Sequence, residues 1–184
     1  MMTKANIVTL TRIALVPIFM WAMILDTDHT KTLALVIFIL ASTTDWVDGF
    51  LARRFNEVTT FGKFMDPLAD KLLITAAMLI FVQQGRLPSW AAMLIIAREF
   101  IVTSLRSVAS AQGAVLSAEL SGKIKTVVQI FCTSYLLIPV QIFSDFRLGE
   151  ISGEALAGYV MVAVTLWSGI DYLVRHRHIL KKTG

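Results

Sequence analysis

Apolar positions along this 184-residue chain gather into six long runs separated by short polar breaks, at roughly residues 7–25, 32–52, 64–82, 89–110, 126–143 and 155–174. Each run approaches the roughly 20 residues that a helix needs to cross the hydrocarbon core of a bilayer. None alternates as a barrel strand does, and helices are the other structure that satisfies every backbone group in lipid. The pattern therefore predicts an all-α, polytopic membrane protein with six transmembrane helices. Six such helices leave no length for a soluble domain, so residues 1–184 read as a single membrane domain without linker, low-complexity tract or internal repeat.

Composition agrees. The chain is 56% hydrophobic and only 16% charged, against about 25% charged in ordinary soluble domains, and its mean hydropathy is +0.70. Charge then orients it. With the N-terminus in the cytoplasm, 14 of the 17 basic residues fall on that side and only Lys31, Arg86 and Arg147 on the other. A bias of that size places both termini in the cytoplasm. The net charge of +4 suits anionic lipid head groups, with no nucleic-acid partner required. Arg12 interrupts the start of the first apolar run and no small-residue cleavage site follows, so that run reads as a retained helix and not a signal peptide. Cys132 has no second cysteine and reads as a small buried apolar residue, and His29, His176 and His178 read as solvated surface. Trp21, Trp46, Trp90 and Trp167 read as interface anchors or packing, while Glu119 and Asp171 show no evident partner.

Against this background the segment TDWVDGFLARRFNEVTTFGKFMDPLAD, residues 44 to 70, stands out because it places Asp45, Asp48, Asp66 and Asp70 beside two apolar runs. Residues three and four apart share a helix face, so Asp45, Asp48, Gly49 and Ala52 form one stripe and Gly62, Asp66 and Asp70 another. The run from Arg53 to Phe61 reads as a tight cytoplasmic turn between antiparallel helices. Pro67 predicts that the third helix begins near Gly62 to Phe64, so that the proline falls in its first turn. A carboxylate at mid-helix costs roughly 2.5–3.5 kcal/mol on insertion scales, so four of them without compensation cost on the order of 10 kcal/mol, comparable to the stability of a whole domain. Arg53, Lys63 and Lys71 can offset part of this, and two divalent cations would neutralise all four acids. Oxygen-only ligands favour Mg²⁺ or Mn²⁺ over zinc. Gly49 and Ala52 leave room beside the acids for a bulky group or for helix packing. Arg53 is either a phosphate fork or an ordinary positive-inside anchor.

The array Asp45-x2-Asp48-Gly49-x2-Ala52-Arg53-x8-Gly62-x3-Asp66-x3-Asp70 resembles, without gap or substitution, the motif of the CDP-alcohol phosphotransferases. The resemblance implies a six-helix membrane fold, two Mg²⁺ or Mn²⁺ ions on the four aspartates, and displacement of CMP from a CDP-linked lipid by an alcohol. It implies that Asp45, Asp48, Asp66 and Asp70 are metal ligands, that Asp70 is also the general base, and that Gly49, Ala52, Arg53, Thr59 and Gly62 line the CDP-diacylglycerol site. It also implies a homodimer. The chemistry fits a two-metal clamp, in which charge is neutralised and the reacting oxygens are positioned.

The acceptor is read from other cations. AREFIVTSLRSVAS supplies Arg98, Glu99 and Arg106, and SGKIKTVVQ supplies Lys123 and Lys125. Arg98 lies within an apolar run, where an ionisable residue is by default functional. Its structural alternative is a simple pair with Glu99 or an aspartate, and that of the two lysines is membrane anchoring. A cluster of these cations would hold an acceptor that carries its own phosphate. With NIVTLTRIALVPIF, these segments resemble the bacterial members of the family that act on sn-glycerol 3-phosphate and form phosphatidylglycerophosphate. Asn6, Thr9 and Arg12 make a further candidate substrate stripe, with back-bonding for Thr9 and snorkelling for Arg12 as the structural alternatives. Phosphatidylserine, cardiolipin or phosphatidylinositol phosphate synthesis would share the first motif. A cation transporter would instead spread its acids through the depth of several helices, whereas here they cluster at one end of two.

Overall fold

A computed structural model describes residues 4–55, 60–111, 119–138, 147–148 and 151–177; within these, the side chains of 4–6, 45–55, 60–64, 66, 67, 70, 111, 147, 148 and 151 lie outside the description. The described elements are helices α1 (Lys4–Leu25), α2 (Asp28–Phe55), α3 (Thr60–Gln83), α4 (Ser89–Ala111), α5 (Leu120–Leu137) and α6 (Gly153–Arg175). Strands β1 (Arg147–Leu148) and β2 (Ile151–Ser152) pair antiparallel just ahead of α6, so the fold is all-α apart from this small hairpin.

Helix boundaries differ from the sequence reading: α2 continues through Arg53 and Arg54 to Phe55 and α3 already includes Thr60 and Phe61, so the expected turn from Arg53 to Phe61 is helical at both ends. Helix α5 runs over 120–137 and not 126–143, because the polar residues that seemed to precede it, Ser121 and Lys125, are buried on its inner face. Helix α3 starts at Thr60, so Pro67 lies beyond its first turn and not within it. A proline there forgoes its bond to the carbonyl four residues back, a loss that membrane helices tolerate when neighbouring groups re-satisfy the backbone. Of the six predicted spans, Ile7–Leu25 and Gly153–Arg175 are long and apolar enough to cross a membrane among the described residues, and Lys71–Gln83 is a shorter apolar stretch.

The chain divides into two compact units, residues 1–84 with 136–145, and residues 85–135 with 146–184. In the first unit α1 packs along both α2 and α3. Each helix buries one stripe at three- and four-residue spacing, namely Thr9, Arg12, Val16, Phe19 and Met23 on α1, Ala34, Ile37, Phe38 and Ala41 on α2, and Ala69, Leu73, Ala76 and Ile80 on α3. Phe19 and Phe38 meet with ring centroids 6.4 Å apart. At the turn between α1 and α2, Asp26 adopts φ 52°, and the Thr27 and Thr30 hydroxyls each accept the other's backbone N–H, at 3.3 and 3.1 Å. This is the reciprocal arrangement of a capping box, and it starts α2. Gln84 ties the end of α3 back to this turn through Met23 O and Asp26 Oδ1, both at 3.3 Å.

In the second unit α4 packs on α6. Gly158 of α6 makes room for Leu87, which lies just ahead of α4, since a Cβ there would stand 3.0 Å from Leu87 Cδ1. Ser152 caps α6 by accepting the Ala155 N–H at 3.3 Å. Arg86 grips Glu154 in the first turn of α6 through Nε at 2.9 Å and Nη2 at 2.6 Å. Helix α5 joins this unit through polar contacts, and its buried residues Ser121, Lys125, Gln129 and Thr133 recur at every fourth position.

Candidate active site

Helix α2 continues unbroken to Phe55 and α3 begins at Thr60, so the whole acidic motif except Thr59 rides on two consecutive helices. Counting along α2, the buried stripe Ala34, Ile37, Phe38 and Ala41 is followed at the same spacing by positions 45, 48 and 52. Counting back along α3 from Leu73 and Ala69 leads to positions 66 and 62, with 70 at the edge of the stripe. Positions 45, 48 and 52, and likewise 62 and 66, thus continue in helical register the stripes that are buried further along α2 and α3. The side chains of Asp45, Asp48, Gly49, Ala52, Arg53, Gly62, Asp66 and Asp70, and Thr59 altogether, lie outside the described residues. So does the side chain of Asn6, whose backbone is in α1.

Thr9 and Arg12 are both buried in the first unit, at 4% and 5% exposure. A buried Arg12 does not snorkel; its guanidinium stays inside, on the same stripe as Val16 and Phe19.

The second unit holds the other group of candidates. Arg98 Nη1 donates to Glu99 Oε1 at 3.2 Å, and Lys125 Nζ from α5 pairs with the same oxygen. All three side chains are sheltered, with exposures of 11%, 16% and 5%. Arg106 and Lys123 do not join them; both are exposed, and Arg106 instead places its guanidinium 5.8 Å from the centroid of the Tyr172 ring. The four predicted acceptor cations therefore separate into a sheltered pair, Arg98 with Lys125, and two outlying residues.

Three residues read as lacking a partner have one. Asp171 accepts from the Ser121 hydroxyl at 2.6 Å and from Arg175 Nε at 2.7 Å, and Glu119 Oε1 lies 3.8 Å from His176 Nε2. His176 is not solvated surface; its ring lies on Tyr172 with centroids 4.4 Å apart, and its Nδ1 is 3.0 Å from the Tyr172 carbonyl oxygen. His29 is exposed as expected, and His178 lies outside the described residues. Trp21, Trp90 and Trp167 are half or more exposed, as lipid-facing anchors would be, and Cys132 is half-buried. The pair with Glu99 that was the structural alternative for Arg98 is present, and the part that sequence reasoning missed is that Glu99 also joins α4 to α5 through Lys125. The visible signal for it was the four-residue recurrence of Ser121, Lys125, Gln129 and Thr133, which marks an inward polar face in need of partners.

A family model described as CDP-alcohol phosphatidyltransferase matches residues 2–168. The chain belongs to the CDP-alcohol phosphatidyltransferase family. The match runs through both compact units and covers every residue of the motif. Among the relatives of this CDP-alcohol phosphatidyltransferase, a Bacillus subtilis protein named CDP-diacylglycerol--glycerol-3-phosphate 3-phosphatidyltransferase is 44% identical over 196 residues, spanning 100% of both chains. An Escherichia coli K12 protein of the same name is 38% identical over 174 residues, spanning 91% of each. CDP-alcohol phosphatidyltransferases generally use divalent metal ions, and together with its two apolar helices the family marks this chain as a membrane protein.

Proposed function

We propose that this enzyme transfers the phosphatidyl group of CDP-diacylglycerol to sn-glycerol 3-phosphate, forming phosphatidylglycerophosphate and releasing CMP. The observation that carries the acceptor is the sheltered pair Arg98 and Lys125, brought to one point from two helices. A guanidinium and an ammonium together suit a phosphate monoester, which takes a fork from the first and a point charge from the second. The names of the relatives, which specify glycerol 3-phosphate, support the same reading.

In this reading Asp45, Asp48, Asp66 and Asp70 hold two Mg²⁺ or Mn²⁺ ions. The donor set fits, being four carboxylates with no nitrogen or sulfur ligand in the motif, carried on two consecutive helices. Divalent ions held there supply charge neutralisation at the diphosphate of the donor. Arg53, with Gly49, Ala52, Gly62 and Thr59, holds the nucleotide end of the donor. Asp70 takes the proton of the acceptor hydroxyl, whose oxygen attacks the phosphatidyl phosphorus. The bond from that phosphorus to the CMP oxygen breaks, and CMP leaves as the anion. Arg98 and Lys125 hold the phosphate that the acceptor carries. All six helices cross the membrane with the acidic motif at the cytoplasmic side, where a water-soluble CMP group and lipid tails are both accommodated. Residues 1–184 act as one domain, a reading supported by a family match that runs through both units.

The test is CMP release from CDP-diacylglycerol in liposomes, with and without a chelator, across a panel of sn-glycerol 3-phosphate, inositol phosphate, phosphatidylglycerol and serine. Release only with divalent metal and with glycerol 3-phosphate is the expected result. Preference for inositol phosphate would keep the phosphate-binding pair and overturn the acceptor.

A further inference from the structure

Arg98 and Glu99 are consecutive on α4, and consecutive residues on a helix do not face each other. Their side chains nevertheless meet, Nη1 to Oε1 at 3.2 Å, because both bend to the point that Lys125 reaches from α5. Glu99 Oε1 thus takes one donor from each of two cations, out of the five that a guanidinium and the three that an ammonium carry. The Nε of Arg98 is buried and has no hydrogen-bond partner among the described residues. On its other side Arg98 lies across Gly169 of α6, where an added Cβ would stand 3.1 Å from Arg98 Cγ and 3.9 Å from Nε. The guanidinium is therefore drawn by a carboxylate from one side and admitted by the absence of a side chain on the other.

We propose that Glu99 is a positioning residue for the acceptor, and that Gly169 provides the space it needs. Resting on the acceptor reading above, this assigns Glu99 no contact with substrate. Its carboxylate fixes where Arg98 and Lys125 stand, so that the phosphate meets a pre-set pair and not two flexible cations. A buried carboxylate is tolerated between two cations, whereas the same cations without it must find their own geometry at each binding event. The bond also joins α4 to α5, so the spacing of the pair is set by helix packing.

The experiment is steady-state CMP release by the full-length enzyme in liposomes, varying one substrate at a time, for Glu99→Gln, Glu99→Asp, Gly169→Ala and Arg98→Gln, with melting temperatures in detergent. Glu99→Gln is expected to raise KM for glycerol 3-phosphate by about 10-fold, the size of one lost charge-assisted contact, with kcat and KM for CDP-diacylglycerol little changed. Glu99→Asp keeps the charge and is expected to recover part of the loss. Gly169→Ala leaves every charge in place and is expected to raise the same KM by displacing Arg98. An unchanged or lowered acceptor KM in Glu99→Gln, while Arg98→Gln raises it, overturns the positioning role and leaves the acceptor site standing. If Arg98→Gln also leaves that KM unchanged, the acceptor site itself is wrong. If Glu99→Gln weakens both substrates and lowers the melting temperature together, Glu99 is a scaffold residue and the proposal fails.

Discussion

At the scale of single residues, the motif turns on the difference between a carboxylate and its amide. Asp and Asn have the same shape, but only the carboxylate brings a full negative charge and two acceptor oxygens to a divalent ion. Asp45→Asn, Asp48→Asn and Asp66→Asn are each expected to lower CMP release by more than about 100-fold, since losing groups that merely support a metal ligand already costs about 10- to 100-fold. The check is turnover at saturating metal. Near-normal release by any one of the three removes that residue from the ligand set. The same scale explains why the sequence groups Arg98 and Lys125 with Arg106 and Lys123. As letters all four are cations, and only burial divides them, with Lys125 at 5% exposure and Lys123 exposed two residues away.

At the scale of elements, α5 carries a polar stripe where a soluble helix would carry an apolar one. Helix α5 buries Ser121, Lys125, Gln129 and Thr133 at every fourth residue, and each of the first two is matched by an acid from another helix. The Ser121–Asp171 bond joins the first turn of α5 to the last turns of α6 at 2.6 Å. Ser121→Ala leaves Asp171 its bond to Arg175 and removes the one to α5, so the melting temperature is expected to fall while kcat is preserved. A thermal scan in detergent measures it, and a variant that melts with the parent protein shows that the bond adds nothing to the join between α5 and α6.

At the scale of the whole molecule, the segregation of basic residues decides which way the chain lies in the membrane. Thr27 is exposed in the turn between α1 and α2, and Asn56 belongs to the connection between α2 and α3. Single cysteines at these positions in a Cys132→Ala background should therefore report opposite sides. With both termini in the cytoplasm, Thr27→Cys labels with an impermeant reagent from outside intact cells, and Asn56→Cys labels only after the membrane is opened. Labelling of Asn56→Cys from outside would put the acidic motif on the wrong side for a cytoplasmic nucleotide donor.

What the sequence by itself determined is whatever depends on neighbours along one helix. The six helices, the membrane class and the spacing of the acids follow from periodicity, and the ordered motif from Asp45 to Asp70 was enough to indicate the family that the comparison over residues 2–168 then established. What only the tertiary structure decided is which polar groups from different helices meet. Nothing in the letters pairs Glu99 with Lys125, Asp171 with Ser121, or Arg106 with the Tyr172 ring. The shifted start of α5 has the same origin, because a serine and a lysine read as a polar break until partners on other helices make them part of an interior. Hydropathy records the cost of taking a group out of water, and only packing shows where that cost is offset.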